Sequence, residues 1–326
     1  MKATKIISAC AVLVALASCS NDHVISQPGA EDTPIRIQAN VGAVTTKAAS
    51  DIQGSQFVNG ENVNVYIYEN ATKVGSSSGK IYGASGLVVC SANSGTLSPT
   101  TSGALFYPQN GNGIDVYGVY PTSVIENSSQ FSFEVKTEQS SDANYKESDL
   151  MYAPCQTNHQ KGSDVNLTFA HKLSKVTIEL VNGNGFQPAD LEGAEIKIMN
   201  TYNGCTISKL DKTGIGTITC NSSSAQSAIK VGTWNSATKD KLSAIVIPQT
   251  VSKGTVLFEV TLAGTTNPYK YTIPSNGSDV TFAGSNEYKY KLTIKIDGID
   301  VTSSITNWTD DSSSLPDNGN GDAKLD

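Results

Sequence analysis

Residues 288–297 decide the fold, and they read Tyr-Lys-Tyr-Lys-Leu-Thr-Ile-Lys-Ile-Asp. Successive side chains of a β-strand point to opposite faces, so every second residue lies on the same side. One face would carry the apolar side chains of Tyr288, Tyr290, Leu292, Ile294 and Ile296. The opposite face would carry Lys289, Lys291 and Lys295. This pattern predicts a strand with one buried face and one face in water.

The same alternation recurs along the chain. It is found in residues 63–68, 114–117, 165–169, 176–180 and 256–262. Clusters of Gly, Asn and Ser lie between these runs, and such residues favour turns. No window shows the 3.6-residue period of an amphipathic helix. Many short strands joined by turns predict an all-β protein of the sandwich or barrel type.

Chain length and a gap in the strand pattern predict two domains. The protein has 326 residues, and a globular domain typically has about 100 to 200. The alternating runs stop at residue 169 and resume at residue 176, so we place a boundary between residues 170 and 174. Residues 48–172 would form one β-sandwich and residues 173–309 a second. Residues 310–326 are polar and of low complexity, which predicts a disordered tail.

The N-terminus has the features of a bacterial lipoprotein signal peptide. Two lysines precede an apolar stretch at residues 6–17, and residues 16–19 read Leu-Ala-Ser-Cys, a cleavage site that ends in cysteine. The apolar stretch is shorter than the roughly 20 residues that span a bilayer. We therefore predict removal of residues 1–18 and acylation of Cys19, palmitate included. Ser20 follows the cysteine in place of aspartate, which favours sorting to the outer membrane.

Charge and cysteine content restrict the partners. The net charge of −7 argues against a nucleic-acid partner. Four cysteines remain outside the signal peptide and the acylation site: Cys90, Cys155, Cys205 and Cys220. No two of them form a Cys-x-x-Cys pair, so a zinc site is not expected. Cys205 and Cys220 flank a predicted hairpin, and the sequence leaves open whether they form a disulfide or remain buried thiols.

No set of catalytic or cofactor-binding residues can be assembled from the sequence. The three histidines, His23, His159 and His171, are too scattered to predict a triad or a metal site. Nucleotide-binding loops and zinc-protease motifs are missing, and the Gly-x-Ser-x-Gly pattern at residues 75–79 lies in a Gly/Ser cluster typical of a turn. We expect neither an enzyme nor a cofactor nor a bound metal. The 13 tyrosines could bind a glycan if exposed, but tyrosine is also common in ordinary strands.

Several segments together resemble the fimbrillin family, the subunits of type V pili in anaerobic Gram-negative bacteria. The resemblance is carried by residues 106–108, 116–121, 148–153, 169–176 and 305–308. It implies two tandem transthyretin-like β-sandwich domains in a lipidated precursor that is exported to the cell surface and activated by proteolysis. The implied partners are other pilus subunits, of the same or a related kind, the outer membrane through the lipid on Cys19, and a host or bacterial surface receptor.

The resemblance also implies that a protease removes an N-terminal strand, leaving a groove for a strand of another subunit. Residues 35–41 supply a candidate, with Ile35, Ile37, Ala39 and Val41 on one face. Cleavage would fall between Lys47 and Ala48, whereas family members are commonly cut after arginine. An unpaired sheet edge is a template for strand addition, whatever the family. The alternative is that residues 35–41 form a permanent first strand.

A C-terminal stretch could supply the strand that fills the groove. Ile299, Val301 and Ile305 have the same spacing as Ile35, Ile37 and Val41. Head-to-tail exchange of such strands does not close on itself and generates a fibre. In the rival interpretation the stretch stays in its own sandwich with Trp308 in the core. The protein would then be a surface-anchored lipoprotein, either a pilus anchor or a glycan-binding module, that is not polymerised.

Overall fold

The computed structural model describes residues 33–42, 56–70, 79–80, 86–101, 103–237 and 242–308. The expectations for the signal peptide, for Cys19, for Lys47 and Ala48, and for the tail at 310–326 lie outside these residues.

Strands account for nearly all regular structure in the described residues. The first half contains β1 (Ile37–Val41), β2 (Asn62–Asn70), β3 (Gly79–Lys80), β4 (Leu87–Asn93), β5 (Thr96–Pro99), β6 (Gly113–Tyr120), β7 (Phe131–Glu134), helix α1 (Asp142–Ser148), β8 (Met151–His159) and β9 (Val165–His171). The second half contains β10 (Ser174–Asn182), a 3₁₀ helix (Pro188–Leu191), β11 (Glu195–Thr201), β12 (Gly204–Ile207), β13 (Leu210–Asp211), β14 (Gly214–Ile215), β15 (Ile218–Cys220), β16 (Ser227–Thr233), β17 (Leu242–Val246), β18 (Gln249–Val251), β19 (Val256–Thr261), β20 (Tyr269–Thr272), β21 (Val280–Phe282), β22 (Asn286–Lys295) and β23 (Gly298–Asn307). The predicted all-β class is confirmed.

Helix α1 is a departure from the predicted absence of helices. Ser141 caps it, because the Ser141 hydroxyl accepts a hydrogen bond from the backbone N–H of Asn144. Asp142 lies in the first turn, where a negative charge favours the helix dipole. The helix has seven residues and buries Tyr145 and Ser148. Two turns are too few for a helical period to emerge from the sequence.

The first-half strands form a closed ring. They follow the order β3-β2-β4-β5-β1-β9-β8-β6, and an additional pairing of β6 with β2 closes the ring, with β3 attached to β2. One hydrophobic cluster, which we call the ring core, fills the interior and includes Ile37, Val63, Ile67, Val116 and Phe169. Strand β1 is therefore one of the strands that enclose this core.

Two strands of the ring are buried on both faces. Tyr66 on β2 and Tyr117 on β6 point away from the ring core, and their rings stack with centroids 4.8 Å apart. They join a larger cluster, the main core, that also contains second-half residues such as Ile178 and Phe258. The prediction of one wet face is therefore wrong for β2 and β6. The cause is that segments distant in sequence, including strands of the second half, cover the outer face of the ring.

The second half forms a sandwich of two four-stranded sheets. One sheet has the order β17-β10-β22-β23 and the other the order β16-β11-β19-β20. Strand β16 lies beside β17, and β20 lies beside β23, so the sheets are stacked with the main core between them. Strands β10 and β22 run parallel, whereas β22 and β23 form an antiparallel hairpin. Strand β23 is an outer strand of its sheet.

A small third sheet crosses the predicted domain boundary. It has the order β15-β12-β7, and Cys205 on β12 lies opposite Phe133 on β7. Gln139 adds a second link, because its side chain exchanges hydrogen bonds with the backbone of Ile245. The described residues from Thr33 to Trp308 belong to one compact unit. The division at residues 172 and 173 remains a prediction.

Strand β22 follows the alternation of residues 288–297 in part. Tyr288, Tyr290, Leu292 and Ile294 are buried, but Ile296 is 71% exposed because the strand ends at Lys295. The lysine face is also less open than predicted. Lys289 is 5% exposed, and its Nζ lies 3.4 Å from a carboxylate oxygen of the buried Glu287. The ion pair with Glu287 offsets part of the cost of burying the lysine charge.

Candidate functional site

The N-terminal strand β1 lies in the wall of the ring, between β5 and β9. It pairs antiparallel with β5 and parallel with β9, from Ile37 opposite Val165 to Val41 opposite Phe169. The four residues predicted to share a face all point into the ring core. The exposed fractions are 7% for Ile35, 0% for Ile37, 1% for Ala39 and 2% for Val41.

Backbone hydrogen bonds hold β1 on both sides. On the β5 side, the Ile35 N–H donates to the Leu105 carbonyl and the Ala39 N–H to the Gly95 carbonyl, each at 2.7 Å. On the β9 side, the Val165 N–H donates to the Arg36 carbonyl at 2.8 Å. Without β1, the β5 and β9 edges that face it would be left unpaired, and the ring core would be open to solvent between them.

The outer face of β1 carries a small polar cluster that the sequence interpretation did not include. Arg36 Nε lies 3.0 Å from a carboxylate oxygen of Asp164, in the turn that precedes β9. Gln38 also donates to Asp164, at 3.3 Å. The sequence contained one signal for this cluster, because Arg36 is the only arginine in the chain. Because the Arg36 side chain is 71% exposed, the ion pair contributes little to stability.

Strand β1 is connected to β2 only through residues 43–55, which lie outside the described part of the chain together with the predicted cleavage site at Lys47 and Ala48. A cut in that connection would leave β1 attached by non-covalent contacts alone. The predicted acylation site, Cys19, lies outside the described residues as well. Within the described ranges, no helix is long and apolar enough to cross a membrane.

The candidate donor stretch is β23, which is hydrogen-bonded along its whole length to β22. Val301 lies opposite Leu292, and Ile305 lies opposite Tyr288. The predicted apolar face is only partly buried. Ile299 and Val301 pack against the main core, whereas Ile305 is 58% exposed. The three side chains therefore do not share one environment within the subunit.

Trp308 anchors the end of β23 beside the last residue of β9. Its ring stacks on that of His171, with centroids 3.8 Å apart and planes 7° apart. Nδ1 of His171 lies 2.8 Å from a carboxylate oxygen of Asp149, and both side chains are buried. The backbone N–H of Trp308 donates to the carbonyl of Ser285, whose hydroxyl donates to the His171 carbonyl. Any movement of β23 out of its sheet must break this set of contacts or leave Trp308 behind.

Buried groups elsewhere have little capacity for chemistry. Burial raises the pKa of the Cys90 thiol to about 12 and that of Cys155 to about 11, so neither thiol is ionised at neutral pH. Tyr66, Tyr117 and Tyr152 are buried and cannot provide a stacking surface for a sugar. In the described part of the chain, no group of three His, Cys, Asp or Glu side chains is arranged to hold a metal ion.

The chain is similar to known proteins over most of its length. The model of a family described as fimbrillin-like matches residues 46–308. A curated relative, described as fimbrium subunit Fim1C of Bacteroides uniformis, is 22% identical over 325 residues, which is 99% of this chain and 98% of the relative.

Two solved structures share the fold. One is described as a cell adhesion protein of Bacteroides ovatus; the match has a TM-score of 0.62 and 13% identity, and it covers 85% of this chain and 98% of that chain. The other is described as a cell adhesion protein of Bacteroides uniformis, with a TM-score of 0.58, 20% identity, and coverage of 84% and 99% of the two chains. At these identities the likeness applies to the fold.

Proposed function

Because this chain belongs to the fimbrillin-like family, whose members are fimbrial subunits and not enzymes, we propose that it is a structural or adhesive subunit assembled by strand exchange. The observation that carries the proposal is the position of β1 as a wall strand of the ring, with its four inward side chains buried. A strand in that position can be exchanged for another of the same pattern, because backbone pairing supplies affinity and alternate side chains supply specificity.

Cleavage alone would not release β1. Full burial of a large apolar side chain contributes about 1.5 to 3 kcal/mol, and Ile35, Ile37 and Val41 are all buried. The backbone hydrogen bonds to β5 and β9 add to this. A cut β1 would therefore stay in place until an incoming strand displaces it. In the precursor, the attached β1 blocks the position that another subunit's strand would take.

The same proposal assigns the N-terminal segment to membrane attachment. Acylation of Cys19 would hold the precursor on the outer membrane, since two or three acyl chains anchor a protein durably. Proteolysis between Lys47 and Ala48 would then break the covalent link to the lipid, and displacement of β1 by an incoming strand would release the subunit into a surface fimbrium. Its partners would be other subunits and a surface receptor, with no role for nucleic acid.

Lys47→Ala should keep the acylated segment on the chain and prevent filament formation. Cells grown with a palmitate analogue would show label on the intact variant, whereas the wild-type chain recovered from filaments would start at Ala48 and carry none. Lys161→Ala, in an exposed turn, is the control and should assemble normally. Cys19→Ala should lose the label. Normal filament yield from a Lys47→Ala chain with no cut nearby would contradict the proposal.

The incoming strand is proposed to be β23 of a neighbouring subunit. Its residues Ile299, Val301 and Ile305 match the spacing of Ile35, Ile37 and Val41, so Val301 would take the place of Ile37 opposite Leu97. The exposed Ile305 would become buried in the acceptor ring. This transfer requires β23 to leave β22 and Trp308 to leave His171.

A chain with Val301→Cys and a second chain with Leu97→Cys that lacks residues 1–47 should crosslink to each other on oxidation. Thr302→Cys is the control, because its side chain points to the opposite face of β23 and should not crosslink. If Val301→Cys forms no crosslink to Leu97→Cys of the second chain, β23 is not the donor. That result would favour the alternative function, a surface lipoprotein that anchors a pilus or binds a glycan. The supporting observation for this alternative is that Trp308 is buried and stacked on His171 within its own subunit.

A further inference from the structure

Two cysteines of the third sheet lie directly opposite each other. Cys205 on β12 is the register partner of Cys220 on β15, so their side chains point to the same face. Cys205 is fully buried in the main core, and Cys220 is half-buried and packs against the same core. Both sulfur atoms therefore lie on one side of a two-stranded pairing.

The hydrogen-bond pattern places this pair at a non-hydrogen-bonded position. The Asn221 N–H donates to the Gly204 carbonyl, and the Ser208 N–H donates to the Thr217 carbonyl. Hydrogen-bonded pairs alternate with non-bonded ones in an antiparallel ladder, so the cysteines occupy a non-bonded site. Opposite Cα atoms at such sites are about 4.5 Å apart, within the roughly 4.4 to 6.8 Å range of disulfides.

The other two cysteines have no comparable position. Cys90 lies on β4 and faces the ring core, whereas Cys155 lies on β8 and packs against the main core. Strands β4 and β8 are not neighbours in the ring. Of the six pairs that four cysteines allow, only Cys205 and Cys220 are partners in the strand register.

We propose that Cys205 and Cys220 form a disulfide in the exported protein, by exchange with a disulfide-carrying oxidoreductase. The Cys220 thiolate attacks the disulfide of the oxidant and forms a mixed disulfide, which releases one oxidant thiol. The Cys205 thiolate then attacks the Cys220 sulfur and displaces the second oxidant thiol. The protons of both cysteines end on the oxidant, which leaves as a dithiol.

Burial sets when this exchange takes place. In the folded chain, desolvation raises the pKa of the Cys205 thiol to about 12, so the thiolate needed for the second step is scarce. The exchange therefore belongs to the folding stage, before β12 is covered. The bond closes a loop of residues 205–220, which begins in β12, the central strand of the third sheet. Since β7 of the first half pairs with this strand, the crosslink also supports the link between the two halves.

Site-resolved alkylation of the full chain purified from its native cell surface tests the proposal. The protein is denatured with a first alkylating reagent present, then reduced and treated with a second, isotopically distinct reagent. We expect the second label on Cys205 and Cys220, the first label on Cys90 and Cys155, and a crosslinked peptide in the unreduced digest. First-step labelling of Cys205 and Cys220, or a different partner for either, would overturn the proposal.

A second measurement uses thermal unfolding of the same chain. Closing a 15-residue loop predicts that Cys220→Ala lowers the unfolding temperature by roughly 5 to 10 °C. A reductant should lower the wild-type temperature by the same amount and leave Cys220→Ala unchanged. The matched control is Cys155→Ala, which is also half-buried and should keep its sensitivity to reductant. Equal wild-type temperatures with and without reductant would refute the disulfide.

Discussion

Ile37→Asp should leave the full chain unfolded, or lower its free energy of unfolding by several kcal/mol. Ile37 has 0% exposure at the centre of β1, between Leu97 and Val165. A carboxylate there would be charged without a partner in an apolar core, or would be protonated at a large cost. Folded domains are stable by only about 5 to 15 kcal/mol, so this single change can remove most of the margin. Urea unfolding followed by intrinsic fluorescence would measure it.

Asn40→Asp is the matched control for that experiment. It introduces the same carboxylate into the same strand, but residue 40 points away from the ring core and is half-buried. We expect its unfolding free energy to lie within about 0.5 kcal/mol of wild type, as for most surface substitutions. Similar urea midpoints for Ile37→Asp and the control would mean that β1 does not form part of the core in solution.

Gly118→Ala should be the most damaging glycine substitution in the ring. A Cβ atom added at residue 118 would lie 2.2 Å from Cζ of Phe169. The Phe169 ring cannot easily move, because it is fully buried and packs edge-on against Phe57 with centroids 5.0 Å apart. Overpacking typically costs about 1 to 3 kcal/mol and occasionally more. We expect about 3 kcal/mol or more, measured by urea unfolding.

A double substitution identifies the cause. Phe169→Leu alone should destabilise the chain because it leaves a cavity, but the pair Gly118→Ala and Phe169→Leu should cost less than the sum of the two. Gly277→Ala is the control, since its added Cβ would meet no atom closer than 3.4 Å. Strict additivity of the two substitutions would show that steric conflict with Phe169 is not the reason.

Alternation in the sequence predicted strand positions well because pleating is a local property. Residues 63–68 lie within β2, residues 165–169 within β9 and residues 256–262 largely within β19. Alternation did not predict which faces would be covered. Tyr66 and Tyr117 are buried because distant segments pack over the ring, and such packing is decided by the tertiary fold.

Predictions at strand ends failed for a related reason. Ile296 has the correct parity for burial, but β22 ends one residue earlier and the side chain is exposed. Ile305 lies on β23 where the main core no longer covers its face. A period of two carries no information about where a strand stops or how far its neighbours extend.

The candidate site was predictable in its local part only. The buried face of Ile35, Ile37, Ala39 and Val41 follows from the sequence of β1 itself. The location of β1 between β5 and β9 does not, because it depends on pairing with strands far along the chain. The stack of Trp308 on His171 is equally non-local. Acylation of Cys19 and cleavage at Lys47 are recognition events of other proteins and remain predictions.

The parallel pairing of β1 with β9 gives the site a direction. Parallel hydrogen bonds slant along the strand, so a replacement can reuse the same donors and acceptors in β9 only if it runs the same way as β1. If each subunit inserts the same strand into the next, every subunit must then point the same way along the assembly. The fibre would be polar, with chemically different ends, and growth at one end would be distinguishable from growth at the other.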